Sequence, residues 1–212
     1  MAASSKSRPA MSTASEAGLV LSAACKVQVA HGIRHIIDAV GEHVDAQGTR
    51  DTPERVARMY DELLAGYKID PVQLINGALF DVEYDEMVIV KDIGFHSLCE
   101  HHLLPFYGQA HVGYLPSKKV IGLSKIPRIV DIFARRLQVQ ERMTLQVATF
   151  LDDAIRPMGV GVVVEATHLC AVMRGVKKPG SVMVTSSLRG LFKDNPSTRE
   201  EFMAHVRQRF TA

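Results

Sequence analysis

The sequence is poor in the features that identify a protein quickly. It has only three cysteines, Cys25, Cys99 and Cys170, among 212 residues. So sparse and odd a set makes no disulfide framework and suits a reducing compartment, giving the expectation of a cytoplasmic protein. No apolar run approaches the length of a membrane span. A formal net charge of +2 is too small to argue for nucleic acid or a membrane surface as partner. No internal repeat is evident. The opening stretch MAASSKSRPAMSTAS lacks the apolar centre of a secretory signal. Being small and polar, with no acidic residue before Glu16, it reads as part of a disordered tail over residues 1–20.

What is present is a globular composition, 47% hydrophobic and 23% charged, in a chain long enough for one domain with a sizeable appendage. Apolar positions Val29, Ile33, Ile36, Ile37, Val40 and Val44 follow helical spacing. Thr52-Pro53 then reads as an N-cap and first helical residue, opening a helix that runs to about Ala65. Residues 21–80 are therefore expected to form a helical extension. Beyond Asp81 the pattern becomes mixed. Strands are expected over Met87–Lys91, Gln109–Leu115, Val160–Met173 and Ser181–Leu188. Helices are expected over 123–138, 140–156 and from Ser197 to Phe210, with a break near Leu137-Gln138-Val139-Gln140. Two strands, two helices and two strands make residues 81–212 an α+β domain with an antiparallel sheet.

Charge is unevenly placed. Residues 118–142 carry Lys118, Lys119, Lys125, Arg128, Arg135, Arg136 and Arg142 against Asp131 and Glu141. Such a run is either a solvated helix face or a pocket for a small polyanion.

The most specific pattern is Cys99-Glu100-His101-His102 followed, some seventy residues on, by His168-Leu169-Cys170. Cys99 and His102, three apart, share one side of a helical turn or tight loop. His168 and Cys170, two apart in a strand, share one face of a sheet. Together they offer two thiolates and an imidazole, a donor set that suits zinc. Three protein ligands mark a catalytic site with one position open; a structural site would need a fourth, with His101 or His168 as candidate. A Cys99–Cys170 disulfide is the remaining rival, disfavoured in a reducing compartment. His96 and His111 read as structural, and Cys25, with no partner pattern, as a core or surface thiol. The His-x-Glu and Pro-Cys-x-x-Cys pair of zinc nucleobase deaminases is missing.

Several segments together resemble the GTP cyclohydrolase I family. They are Thr52-Pro53-Glu54-Arg55-Val56-Ala57, Cys99-Glu100-His101-His102-Leu103-Leu104-Pro105-Phe106, Gly122-Leu123-Ser124-Lys125-Ile126-Pro127-Arg128, Gln138-Val139-Gln140-Glu141-Arg142 and His168-Leu169-Cys170-Ala171-Val172-Met173-Arg174-Gly175. The resemblance covers residues from about 25 to 210. It implies a T-fold, with an antiparallel four-stranded sheet and two helices on one face, behind an N-terminal helical extension. It also implies a homodecamer with active sites between subunits. The implied reaction opens the guanine ring of GTP at C8, releases formate and recloses to 7,8-dihydroneopterin triphosphate, the first step of pterin and folate biosynthesis. By the same resemblance Cys99, His102 and Cys170 hold Zn2+, and His101 and His168 act as acid–base groups. Glu141 and Gln140 read the guanine edge, while Ser124, Lys125, Arg128, Arg174 and Arg55 take the ribose and triphosphate. The chemistry suits such residues, because zinc makes water nucleophilic at neutral pH and imidazole titrates near it.

Overall fold

The computed structural model describes residues 20–208, so the expected tail lies outside them except for its last residue, as do residues 209–212. The chain divides into two compact units, residues 1–57 and 58–212. In the first, Ser22 accepts the Cys25 N–H at 3.2 Å and starts α1, Ala23–Val40. Gly41 ends it at φ 87°, a conformation glycine adopts without strain, so the helix stops short of Val44. Asp45 caps a single turn, α2, Ala46–Thr49. Helix α3, Thr52–Leu63, begins in this unit and ends in the second.

The second unit opens with α4, Pro71–Ile75, capped by Asp70. Strand β1, Leu79–Asp81, pairs only with β4, Lys119–Ile121. The main sheet holds β2, Val88–Cys99, β3, Pro105–Leu115, β5, Leu137–Gln138, β6, Gly159–His168, and β7, Met183–Gly190. Their order is β5-β2-β3-β6-β7. The four long strands are antiparallel, and the two-residue β5 is added in parallel beside Leu98 and Cys99. Helices α5, Lys125–Ala134, and α6, Gln140–Ile155, lie on one face. This is the four-stranded T-fold sheet with its helix pair.

The core follows from alternation. Val160, Val162, Val164 and Ala166 on β6 join Phe106, Ala110, Val112 and Tyr114 on β3 under Ile129, Val130, Met143, Val147 and Leu151 of the helices. The short helix α7, Leu169–Val172, follows β6, and on the other face α8, Leu191–Asp194, precedes α9, Pro196–Arg207, which Asn195 caps. Phe192 and Phe202 pack there over Gly113 and Gly161. A Cβ would stand 2.8 Å from the Phe202 ring at Gly113 and 2.6 Å from Phe192 at Gly161, so glycine is what lets these rings reach the sheet. His111 fulfils its structural reading. Its Nδ1 accepts the N–H of Asp92, 3.2 Å away, at the bulge where the β2–β3 register shifts.

The helix expected over 123–138 ends at Ala134, with Leu137–Gln138 forming β5, and β3 starts at Pro105 rather than Gln109; two further elements differ more. The first strand runs on to Cys99 because Ile93, Phe95 and Ser97 keep the buried alternation beyond the bulge. The strand expected to reach Met173 ends at His168, and Leu169–Val172 form a helical turn closed by the Met173 N–H on the Leu169 carbonyl. A short apolar run such as Leu-Cys-Ala-Val-Met has no periodicity that separates strand from helix.

Candidate metal centre

The site forms at one end of the main sheet, where β2 and β6 finish and β3 begins. Phe106 is in register with His168, and Leu98 with Pro105. After β2 the chain turns back, with the His102 and Leu103 N–H groups both on the Cys99 carbonyl. β5 anchors that turn through the Glu100 N–H on the Gln138 carbonyl, 3.0 Å. The turn delivers Cys99 and His102 to one side. The helical turn after β6, rather than a continued strand, delivers Cys170. His168 and Cys170 thus meet the site from different elements, which corrects the shared sheet face expected from their spacing.

The ligating atoms of Cys99, His102 and Cys170 all lie within 4.8 Å of one another. Cys99 Sγ is 3.7 Å from His102 Nδ1. Sulfur and nitrogen ligands bound tetrahedrally to one zinc would be roughly 3.6 Å apart, so the donor set fits that ion in type and spacing. Cys99 is buried and His102 exposed, so the cluster sits at a surface with one side walled. Burial first, and then the neighbouring Cys99, push the Cys170 thiol up. A bound cation would reverse that balance. Among the described residues no other group of three or more such side chains is clustered closely enough to hold a metal ion.

The two expected acid–base histidines are held differently. His101 is exposed, with Nδ1 3.9 Å from Cys99 Sγ and Nε2 3.9 Å from a Glu100 oxygen. His168 is half-buried and stacks on Phe106, with ring centroids 4.6 Å apart and planes within 2°. Burial holds its imidazole below the usual value, opposed by the charge of Glu141. Glu141, exposed in the first turn of α6, directly follows Gln140, whose side chain meets His168. Arg174 reaches back to the cluster, with Nη1 3.1 Å from His102 Nε2.

Gln140 departs from expectation. It is fully buried, and its amide nitrogen faces the Val164 and Met183 carbonyls at 3.0 Å and Thr185 Oγ1 at 3.1 Å. Its Oε1 lies 2.8 Å from His168 Nε2. The side chain is part of the wall and does not present itself to a guanine edge.

The basic run resolves into separate parts. Lys119 pairs with Asp81, Arg135 with Glu62 and Arg142 with Glu100. Arg136 lies against Phe133 and Tyr67, bonded to the Gly66 and Ile132 carbonyls. Lys125 and Arg128 have no carboxylate partner among the described residues. With Ser124 they occupy the start of α5, whose far end leads into β5 beside Cys99. The far end of the helix is ~14 Å from Lys125 and ~9 Å from Arg128 along its axis. Arg55 belongs to the first unit, where it faces Asp51 at 3.8 Å. The structure thus gathers Cys99, His101, His102, Glu141, His168, Cys170 and Arg174 at one end, and leaves Ser124, Lys125 and Arg128 apart from them.

Sequence reasoning overlooked the bidentate Arg142–Glu100 pair, at 2.5 and 2.8 Å, which ties the Cys-x-x-His turn to α6. It overlooked Phe106 and Thr185 as well. Glu100 and Phe106 both lie inside the quoted motif, so the signal was present without an assigned role.

The architecture and the site together define a T-fold protein with a Cys99–His102–Cys170 cluster that could hold a metal ion. Residues 29–207 match the family model described as GTP cyclohydrolase I, and the chain belongs to that family. It is 57% identical over 175 residues to the GTP cyclohydrolase 1 of Leptospira biflexa, covering 82% of this chain and 96% of that one. The GTP cyclohydrolase 1 of Wolinella succinogenes is 50% identical over 182 residues, covering 86% and 97%. The Homo sapiens protein of that name is 54% identical over 172 residues, covering 81% and 69%.

Proposed function

We infer that this chain opens the guanine imidazole ring of GTP at C8 by hydrolysis, releases formate, and yields 7,8-dihydroneopterin triphosphate. The observation that carries the reading is the Cys99–His102–Cys170 cluster with His101 and His168 at its margin, in a chain so similar to curated GTP cyclohydrolases. The ion is Zn2+, supported by two sulfurs and one imidazole nitrogen at its ligand spacing. When bound, zinc lowers the pKa of a coordinated water to about 7.

The chain's own residues do the rest. His101 and His168 move protons to and from the ring nitrogens as the C8–N bonds break. The Glu141 carboxylate accepts from guanine N1–H and the 2-amino group together, an edge adenine does not offer. Lys125, Arg128, Arg174 and Arg55 bind the triphosphate, with Ser124 on ribose or phosphate. Because α5 holds Ser124, Lys125 and Arg128 away from the metal end, a second copy supplies them. This favours a homo-oligomer, the family's decamer, with active sites between subunits. Among the described residues no helix is long and apolar enough to cross a membrane. Three free thiols support a cytoplasmic setting.

A structural metal would require a fourth protein ligand. His168 lies outside the group of donor atoms that are all within 4.8 Å of one another, which weakens that alternative. The test is product analysis of GTP turnover by the zinc-loaded protein. Formate and oxidisable pterin in equal amounts are expected; tight zinc binding without formate would overturn the reading.

A further inference from the structure

The hydrogen bonds behind His168 can be assigned a direction one by one. Thr144 Oγ1 lies 2.8 Å from the Gln140 backbone carbonyl, which only accepts, so the Thr144 hydroxyl donates there. Thr185 Oγ1 lies 2.7 Å from Thr144 Oγ1 and must donate to it, since the Thr144 proton is already engaged. Thr185 is then an acceptor towards Gln140. The Gln140 amide nitrogen therefore faces three acceptors: Thr185 Oγ1 and the carbonyls of Val164 and Met183. Turning the amide over would set its oxygen 3.0 Å from two carbonyl oxygens in a buried site, a repulsive arrangement with two acceptors unsatisfied. The amide has one orientation, with Oε1 towards His168 Nε2.

We propose that Gln140 is a positioning residue that fixes His168 as the Nε2–H tautomer and so makes Nδ1 its only lone pair. Nε2 must donate, because the atom opposite it, 2.8 Å away, can only accept. Phe106, stacked face to face on the imidazole, holds the ring in its plane. Nδ1 has no partner among the described residues and is the atom left to take a proton from, or return one to, the substrate. Thr144, Thr185 and Gln140 form a buried relay of orientation rather than of protons. Its role resembles that of the outer partners that set which nitrogen of a metal-bound histidine carries hydrogen. The catalytic half of this proposal rests on the acid–base reading of His168; the tautomer half does not.

Ring-nitrogen spectra of zinc-loaded protein, labelled with 15N in histidine and sedimented for solid-state NMR, test it. The His168 signals are identified by their loss in His168→Asn. The wild type should show neutral His168 with Nε2 protonated and Nδ1 bare. A protonated Nδ1 would overturn the proposal, and this arm needs no variant of Gln140. Gln140→Met should give a mixture of tautomers, keep its zinc, and lower kcat at least about tenfold with KM for GTP within about twofold. An unchanged tautomer, or a raised KM with kcat intact, would overturn it and return Gln140 to substrate reading. If His168→Ala keeps full turnover, the acid–base reading of His168 fails while the tautomer assignment stands.

Discussion

The two ends of α5 serve the same proposed reaction in different ways. At its C-terminal end everything is fixed by backbone register: β5 beside Leu98 and Cys99, Phe106 opposite His168, and the turn that returns His102 to Cys99. Cys99 and Gln140 are buried there and His168 is stacked on Phe106 and hydrogen-bonded from behind, while His101 and His102 are exposed. At its N-terminal end Ser124 and Arg128 are exposed, and Lys125 and Arg128 are left without carboxylate partners among the described residues. The difference separates what one chain can pre-organise from what it can only offer. Attack on a ring carbon needs atoms placed within fractions of an ångström, and a folded core supplies that. A triphosphate tolerates looser cations, so these can come from a second copy.

The largest effect that would sharpen this contrast is at the metal end. Cys170→Ser should lose bound metal and turnover together, since one of three ligands is removed. Retained metal with lost turnover would mean that Cys170 is not a ligand. Next is a complementation experiment. Arg128→Ala should keep its metal and raise KM for GTP about tenfold or more at low salt, an effect that shrinks as salt rises. Mixed oligomers of Arg128→Ala with Cys170→Ser should recover activity beyond the sum of the separate variants, because some sites draw an intact half from each. No recovery would place both ends in one subunit's site.

The smallest effect concerns the sheet between the two ends. Burial holds His111 below its usual pKa and Lys91 adds to this, against the opposing pull of Asp92 and Glu165. Between that lowered value and about 6.5, the unfolded chain binds more protons than the folded one. Stability should therefore fall as pH drops through this window and be flat, for this group, above it. Denaturant unfolding at successive pH values should show the slope, and His111→Gln should reduce it. A slope of the opposite sign would contradict the burial argument.

Much of this was legible in residue patterns. Thr52-Pro53 marked the start of α3 to within a residue, Thr52 being its first helical residue rather than its cap, and the Cys-x-x-His and His-x-Cys spacings marked the three side chains that cluster. The limits were physical. The bulge at Asp92 interrupts β2's alternation, which hid its continuation to Cys99. Leu169–Val172 is apolar at every position except Cys170's sulfur, so neither period stands out. Gln140 beside Glu141 looked like a second guanine reader because adjacent helix positions carry no label for inside and outside. Only the fold shows that one turns to the interior and the other to solvent. The separation of Lys125 and Arg128 from the cluster was likewise invisible, since sequence order does not report which end of a helix faces which strand.

The central claim is a metal held by three side chains, with His168 beside it but not bound. X-ray absorption at the zinc edge of the loaded protein tests this most directly. The account predicts two sulfur ligands, outer-shell scattering from a single imidazole, and a spectrum unchanged in His168→Ala. Scattering from two imidazoles, one of them lost in that variant, would contradict it.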